Sequence, residues 1–249
     1  MNTDVSDRLV SEFRQRSALS EPEIAEMWKL FSHYYGGVNE EQFRTDLSGK
    51  TDVVVCRDGM GRIGGFSTIE VFEQVVRGRE IGVLFSGDTI ISHDFWGRND
   101  LAFSWLRFAS KQKTMQPDRP LFWLLIVKGH RTYRYLSAFG RRFYPAPDWP
   151  TPPGIQSMID SLATMRFGDA YIRAQGVVRY PTTAGYLKAP WSVVPENARD
   201  RKDVTYFLER NPRYDHGDEL VCLCEVSRDN LKPMAKRVFD DVAGHPHAH

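Results

Sequence analysis

Residues 82–144 constrain this chain more than any other stretch, because a strand, a polar turn, a helix, a second strand and an aromatic-basic helix follow one another there without interruption. The run Gly82-Val83-Leu84-Phe85-Ser86-Gly87-Asp88-Thr89-Ile90-Ile91-Ser92 reads as a strand, and His93-Asp94-Phe95-Trp96-Gly97-Arg98-Asn99 reads as the turn that leaves it. A turn of this kind, opening an amphipathic helix, presents backbone N–H groups to an anion. It suits a pyrophosphate, and Trp96, Gly97, Arg98 and Asn99 are the candidate contacts. Leu121-Phe122-Trp123-Leu124-Leu125-Ile126-Val127 is apolar enough to be a central strand covered on both faces, and residues 130–143 behind it read as a helix. The result is a β-α-β-α core.

The first of these strands carries polar groups where apolar ones are expected. On strict alternation Ser86, Asp88 and Ile90 share one face, and Gly87, Thr89 and Ile91 the other. Burying Asp88 without a partner costs roughly 2–7 kcal/mol even as a neutral group, so it must be hydrogen-bonded, exposed or functional. Gly87 beside it permits a bulge; an edge or turn position for residues 86–89 is the equal alternative.

This order of elements resembles the GNAT superfamily of acyl-CoA-dependent N-acyltransferases, over about residues 20–145. In that family a long strand ends in a V-shaped opening, an R/Q-x-x-G-x-G/A turn holds the pyrophosphate of the donor, and a helix bearing a Tyr precedes a Gly-Phe pair. Phe95-Trp96-Gly97-Arg98-Asn99-Asp100-Leu101-Ala102 stands at the turn, and Tyr135-Leu136-Ser137-Ala138-Phe139-Gly140 looks like the Tyr signature with its last two residues exchanged. The turn departs from the family in having one Gly where two or three are usual, which favours an unusual donor. The resemblance implies an α/β (α+β) fold, a mixed central sheet flanked by helices, in one domain with an extended C-terminal portion. It also implies acyl transfer from a CoA or acyl-carrier-protein thioester to an amine acceptor, with no metal. A bulge near Gly87 would open the sheet and turn N–H groups toward the thioester carbonyl.

Acyl transfer needs a base for the amine, a donor for the carbonyl oxygen and a proton for the leaving thiolate. By the family position Tyr135 is the thiolate acid; a core Tyr with a satisfied hydroxyl is the alternative. His93, just past the strand, is a candidate base, or a surface histidine beside Asp94. Ser86 and Asp88 complete the catalytic candidates. Arg131 and Arg134 are three apart on one helix face and could dock phosphate, with Lys128, His130, Arg141 and Arg142 nearby, although a solvated basic face is the commoner outcome. RNA stacking on the interleaved aromatics ranks low, because no nucleic-acid motif accompanies them. Two other readings stay open. One is a non-catalytic module of the same fold that binds an acyl ligand or a protein partner. The other is an acyl-homoserine-lactone synthase type, whose N-terminal Arg-Phe-Trp pattern is not matched.

With 33 basic and 32 acidic residues among 249, the chain has no global field to recruit nucleic acid or an anionic membrane. The run Leu121-Phe122-Trp123-Leu124-Leu125-Ile126-Val127 is far shorter than the roughly 20 residues that span a bilayer, and Met1-Asn2-Thr3-Asp4 opens no signal peptide, so cytoplasmic residence is the expectation. A small-molecule amine is the expected partner; an acyl-carrier protein and a homodimer remain open. Three cysteines imply no disulfide framework. Cys222 and Cys224 alternate on one strand face as buried small hydrophobes. The terminal His245-Pro246-His247-Ala248-His249 reads as a frayed tail.

Elsewhere, Ser20 caps a helix running to about Tyr35, Asn39 caps a second, and Asp58-Gly59-Met60-Gly61 joins strands at 52–57 and 63–71. Residues 145–154 read as a Pro-rich connector and 155–165 as a helix. In the C-terminal elaboration, 155–249, residues 174–180 and 219–226 supply the last strands. Residues 181–218 are a long insertion that shapes substrate entry, and Asp229 caps a closing helix to Val242.

Overall fold

The computed structural model describes residues 9–181 and 185–243. The expected frayed tail and the chain start at residues 1–4 lie outside the described residues. Among the described residues the strands are β1 (Val10–Gln15), β2 (Tyr35–Gly36), β3 (Asp52–Arg57), β4 (Ile63–Val76), β5 (Arg79–Ile91), β6 (Leu121–Val127), β7 (Tyr171–Ile172), β8 (Val177–Val178), β9 (Tyr186–Leu187) and β10 (Glu219–Glu225). The helices are α1 (Glu21–Tyr34), α2 (Glu40–Ser48), α3 (Asp100–Met115), α4 (His130–Phe139), α5 (Pro153–Phe167), α6 (Glu196–Arg199), α7 (Lys202–Arg210) and α8 (Pro233–Ala243).

Local chemistry explains the first of these elements. The Ser20 N–H and hydroxyl both donate to Glu23 Oε2 at 2.8 Å, which starts α1 and holds the Glu23 carboxyl down at about 2, chiefly through the backbone bond. Asn39 Oδ1 accepts from Gln42 N at 2.8 Å and starts α2. Asp58 Oδ1 accepts from the backbone of Met60 and Arg62 and closes the turn between β3 and β4.

One sheet has the order β1-β3-β4-β5-β6-β10-β8-β7, and β2 pairs with β9 in a separate two-stranded ribbon. Neighbours in the large sheet run antiparallel except β5 and β6, which are parallel from Gly82↔Leu121 to Ser86↔Leu125. A mixed sheet flanked by helices is the GNAT-like architecture that the resemblance implies. On one face α3, α4 and α8 bury Leu106, Leu136 and Phe239 against Val54, Leu84 and Leu125. The other face is covered by α1 and α2 over β3 and β4, and by α5 over β5, β6 and β10. Cys222 and Cys224 both belong to the first core, on one face as alternation requires.

Several boundaries differ from the sequence reading. The strand β1 was not expected; it pairs with β3 along its whole length and buries one edge of the sheet. The helix expected over 130–143 stops at Phe139, because Arg141 is drawn off by its backbone bond to Asn230 O at 2.7 Å. In place of one strand over 174–180, β7 and β8 form a short hairpin around Gly176, whose φ is +70°. The last helix starts at Pro233, not Asp229, because Asn230 bridges Arg142 and Glu225 and holds the preceding loop extended from the helix. Within 181–218, the expected insertion, β9, α6 and α7 are regular, and Phe207 of α7 is fully buried against Tyr133.

Candidate active site

The parallel pairing of β5 and β6 ends at Ser86↔Leu125, yet β5 continues to Ile91 and β6 to Val127. Past that point the strands diverge, and a gap opens in the middle of the sheet. A cavity of about 650 Å³ lies at the gap on the α3–α4 side. A second, of about 460 Å³, lies on the α1–α2–α5 side. Thr89 and Thr132 line both.

The gap coincides with a bulge. On β4, Ser67 and Ile69 are two residues apart, whereas their partners on β5, Thr89 and Ser86, are three apart. The extra residue at Gly87–Asp88 is the bulge that the sequence suggested, and it inverts the alternation beyond it. Ser86 therefore faces the α3 side, where it accepts hydrogen bonds from the indoles of Trp105 at 3.1 Å and Trp123 at 2.9 Å. Asp88 lies among the residues of the second cavity, and Ile90 packs in the α1–α2 core. The expectation that Ser86, Asp88 and Ile90 share a face is thus corrected. Ser86, 4% exposed, is a buried acceptor between two tryptophans.

Trp96, Gly97, Arg98 and Asn99 all line the first cavity at the start of α3, as do Arg131, Arg134 and Tyr135 from α4. Gly97 has φ +88°, a conformation that only Gly adopts without strain, and an added Cβ would meet nothing, so its role is to turn the chain. Arg98 pairs with Asp100 at 3.0 Å, which keeps that carboxylate from standing unpaired at the helix start. The Arg131 guanidinium stacks over Trp96 at 4.1 Å and donates to Trp191 O at 2.9 Å. Arg134 stands 3.7 Å from Asp203. Tyr135 packs on Phe139 with ring centroids 5.7 Å apart, and its hydroxyl hydrogen-bonds no described residue. Burial raises the Tyr135 phenol, so it is a neutral donor at physiological pH. Its neighbour Tyr133 instead gives its hydroxyl to Pro145 O at 2.8 Å inside the core.

His93 does not line the cavity. Tyr34 Oη accepts from the His93 backbone N–H at 2.6 Å and lies 3.0 Å from Nδ1, while Nε2 lies 3.2 Å from Asp94. The network fits the Nε2–H tautomer, with Tyr34 donating to Nδ1. Both ring nitrogens are engaged, and the ring stacks on Trp191 at 5.0 Å, a residue of the cavity wall. Trp191, Asn197 and Arg201 complete that wall from the segment that the sequence showed only as an insertion. Arg141 and Arg142 are drawn away, Arg142 onto the Trp149 ring. His130 at the cavity is held neutral: burial, then Arg131 and Arg134, push it down to about 4.

The second cavity holds charges of both signs. Burial pushes the Asp88 carboxyl up to about 6, against the opposing pull of Lys128 and Lys50. Lys128 pairs with Glu219 at 2.9 Å, and Arg166 with Glu70 at 2.6 Å. Tyr35 and Tyr180 add aromatic walls. Lys50, Arg166, Glu219 and Trp191 were not singled out from sequence. The one available signal was Glu219 opening an otherwise apolar strand, where an unpaired charge is costly.

No protein-family model matches the chain, and no curated protein matches it in sequence. Solved structures with a similar backbone include a protein from Enterococcus faecalis described as a conserved protein of unknown function, probable N-acyltransferase. It is 12% identical, with TM-score 0.41, over 55% of this chain and 33% of that one. A GNAT family N-acetyltransferase from Escherichia coli in complex with CoA is 12% identical, with TM-score 0.39, over 56% of this chain and 72% of that one. A GCN5-related N-acetyltransferase from Kribbella flavida is 14% identical, with TM-score 0.38, over 53% and 34%. The chain thus spans about a third of the length of the first and third of these.

Proposed function

We propose that this protein is an acyltransferase that moves an acyl group from a thioester to an amine, with the thioester carbonyl seated in the gap between β5 and β6. The observation that carries this reading is the gap itself: it joins a cavity edged by a helix start and two arginines to one holding a carboxylate of raised pKa. Donor and acceptor then approach from opposite faces of the sheet. The pyrophosphate of acyl-CoA would meet the α3 start at residues 96–99, with Arg131 and Arg134 beside it. With the acceptor bound as the neutral amine, its nitrogen bonds to the carbonyl carbon and Asp88, poised near neutral pH, takes the one proton that nitrogen then sheds. The N–H groups freed at the bulge stabilise the oxyanion. As the C–S bond breaks, Tyr135 gives the thiolate its proton.

A carrier-protein thioester is the alternative donor, favoured by the single Gly in the turn, which leaves less room for a free pyrophosphate. The engagement of Arg98, Arg131 and Arg134 by Asp100, Trp191 and Asp203 favours a second reading, a non-catalytic module that binds an acyl ligand or a protein partner. A panel of free CoA, acetyl-CoA and longer acyl-CoAs, read first by thermal shift and then by thiol release with amines, separates these readings. A shift that depends on chain length, with turnover, supports the enzyme. Binding without turnover on any amine supports the module, and no response to any CoA species points to the carrier-protein donor.

A further inference from the structure

The charge layout of the second cavity bears on the acceptor, and the argument rests on the acyl-transfer reading. Lys50 passes beneath the bulge: a Cβ at Gly87 would lie 2.8 Å from Lys50 Cε and 3.4 Å from its Nζ, so the missing side chain makes room for the lysine. The ammonium stands over the Phe85 ring at 5.3 Å and makes no ion pair with a described residue. Arg166 stacks its guanidinium on the same ring at 4.0 Å, and its buried Nε has no hydrogen-bond partner among the described residues. Two cations thus crowd one aromatic ring, with a single carboxylate, Glu70, paired to one of them. Burial, followed by the Arg166 charge, lowers the Lys50 pKa, against the opposing pull of Asp88, Asp46 and Glu70, none of which pairs with it directly. Lys128, by contrast, has Glu219.

A carboxylate entering beside Lys50 would neutralise this crowding and give Arg166 an acceptor. Lys50, Gly87 and Asp88 line the same cavity and the two charges act on each other, so the anion site and the base face one bound molecule. We propose that the second cavity selects an α-amino acid as acceptor, with Lys50 holding the carboxylate, Asp88 facing the amine, and Tyr35, Phe167 and Tyr180 receiving the side chain. A volume of about 460 Å³ accommodates such a molecule.

The test is calorimetric binding, without any thioester, of L-leucine, L-phenylalanine and L-glutamine, each against its carboxamide. At least one free acid should bind about tenfold or more tightly than its amide, as expected for a charge-assisted contact. Lys50→Met should erase that preference in a folded protein, and Lys50→Arg should keep it. Equal binding of acid and amide, no binding of any probe, or a preference that survives Lys50→Met would overturn the proposal. If the acid preference holds but no acyl-CoA transfers to the bound acid, the acyl-transfer reading fails and the carboxylate site stands. If acids and amides are acylated alike, the carboxylate site alone fails.

Discussion

The two cavities that meet at the β5–β6 gap differ in how their charges are satisfied. On the α3–α4 side each candidate cation already has a partner from the protein: Asp100 for Arg98, the Trp191 carbonyl and Trp96 ring for Arg131, Asp203 for Arg134. On the opposite side, Asp88 and Lys50 are half-buried without being neutralised by direct pairing, and loss of solvent shifts both toward their uncharged forms. A side that is internally satisfied is preorganised and can bind a polyanion at modest gain per contact. A side that holds uncompensated charge stores the electrostatic cost that a reaction or a ligand relieves.

Removing the uncompensated carboxylate should have the largest effect. Asp88→Asn is expected to lower kcat/KM by about a hundredfold or more, the usual range for a general base. If the proposed transfer holds, kcat/KM of the parent protein should rise with pH through about 6, where Asp88 loses its proton, and the variant should lack that limb. The sign for stability is opposite. A carboxyl raised above its usual 3.8 binds protons more tightly when folded, so the native state gains stability as pH falls through about 6. Asp88→Asn should therefore raise Tm at pH 8, and a lowered Tm there would break the contrast between the cavities.

A smaller loss follows on the satisfied side. Tyr135→Phe should reduce kcat by about tenfold, because a thiolate of pKa near 8.5 leaves far more readily than an amine gives up its proton. The KM for acyl-CoA should stay within about twofold, since the hydroxyl acts on the leaving sulfur and not on the ground state. A rise in KM with kcat unchanged would make Tyr135 a binding residue instead.

Ser86→Ala separates structure from chemistry. Two buried indole N–H groups would lose their acceptor, at about 1–3 kcal/mol. Tm should fall in denaturation scans while activity per folded molecule is kept; a selective loss of turnover would return Ser86 to the site.

The smallest effect belongs to His130. Its folded pKa of about 4 lies below the usual imidazole value of 6.5, so between these values the unfolded chain binds the extra proton and stability declines as pH falls. His130→Gln should flatten that decline in denaturant titrations between pH 7 and 4, because burial and then Arg131 and Arg134 hold this imidazole neutral.

Much of the core was legible from local pattern. The apolar run of β6, the caps at Ser20 and Asn39, and the turn at Asp58 each rest on interactions within a few residues. The turn at 96–99 and the arginines of α4 converge on one cavity, as their order in the chain suggested. The wall built by Trp191, Asn197 and Arg201 was not legible, because these side chains reach the cavity from a segment distant in sequence. The surroundings of His93 were not legible for a related reason: Tyr34, 59 residues away, occupies its Nδ1.

The sequence by itself determined which residues could form strands and helices, where a bulge was permitted, and which groups could not be buried cheaply, since these follow from backbone sterics and the solvation of single side chains. The tertiary structure decided which face each group reached. One extra residue at Gly87–Asp88 turns Ser86 toward two tryptophans and places Asp88 in the opposite cavity beside Lys50, Lys128 and Glu219. Alternation is a local rule, and a bulge is settled by pairing with β4, a partner strand that the local pattern does not contain.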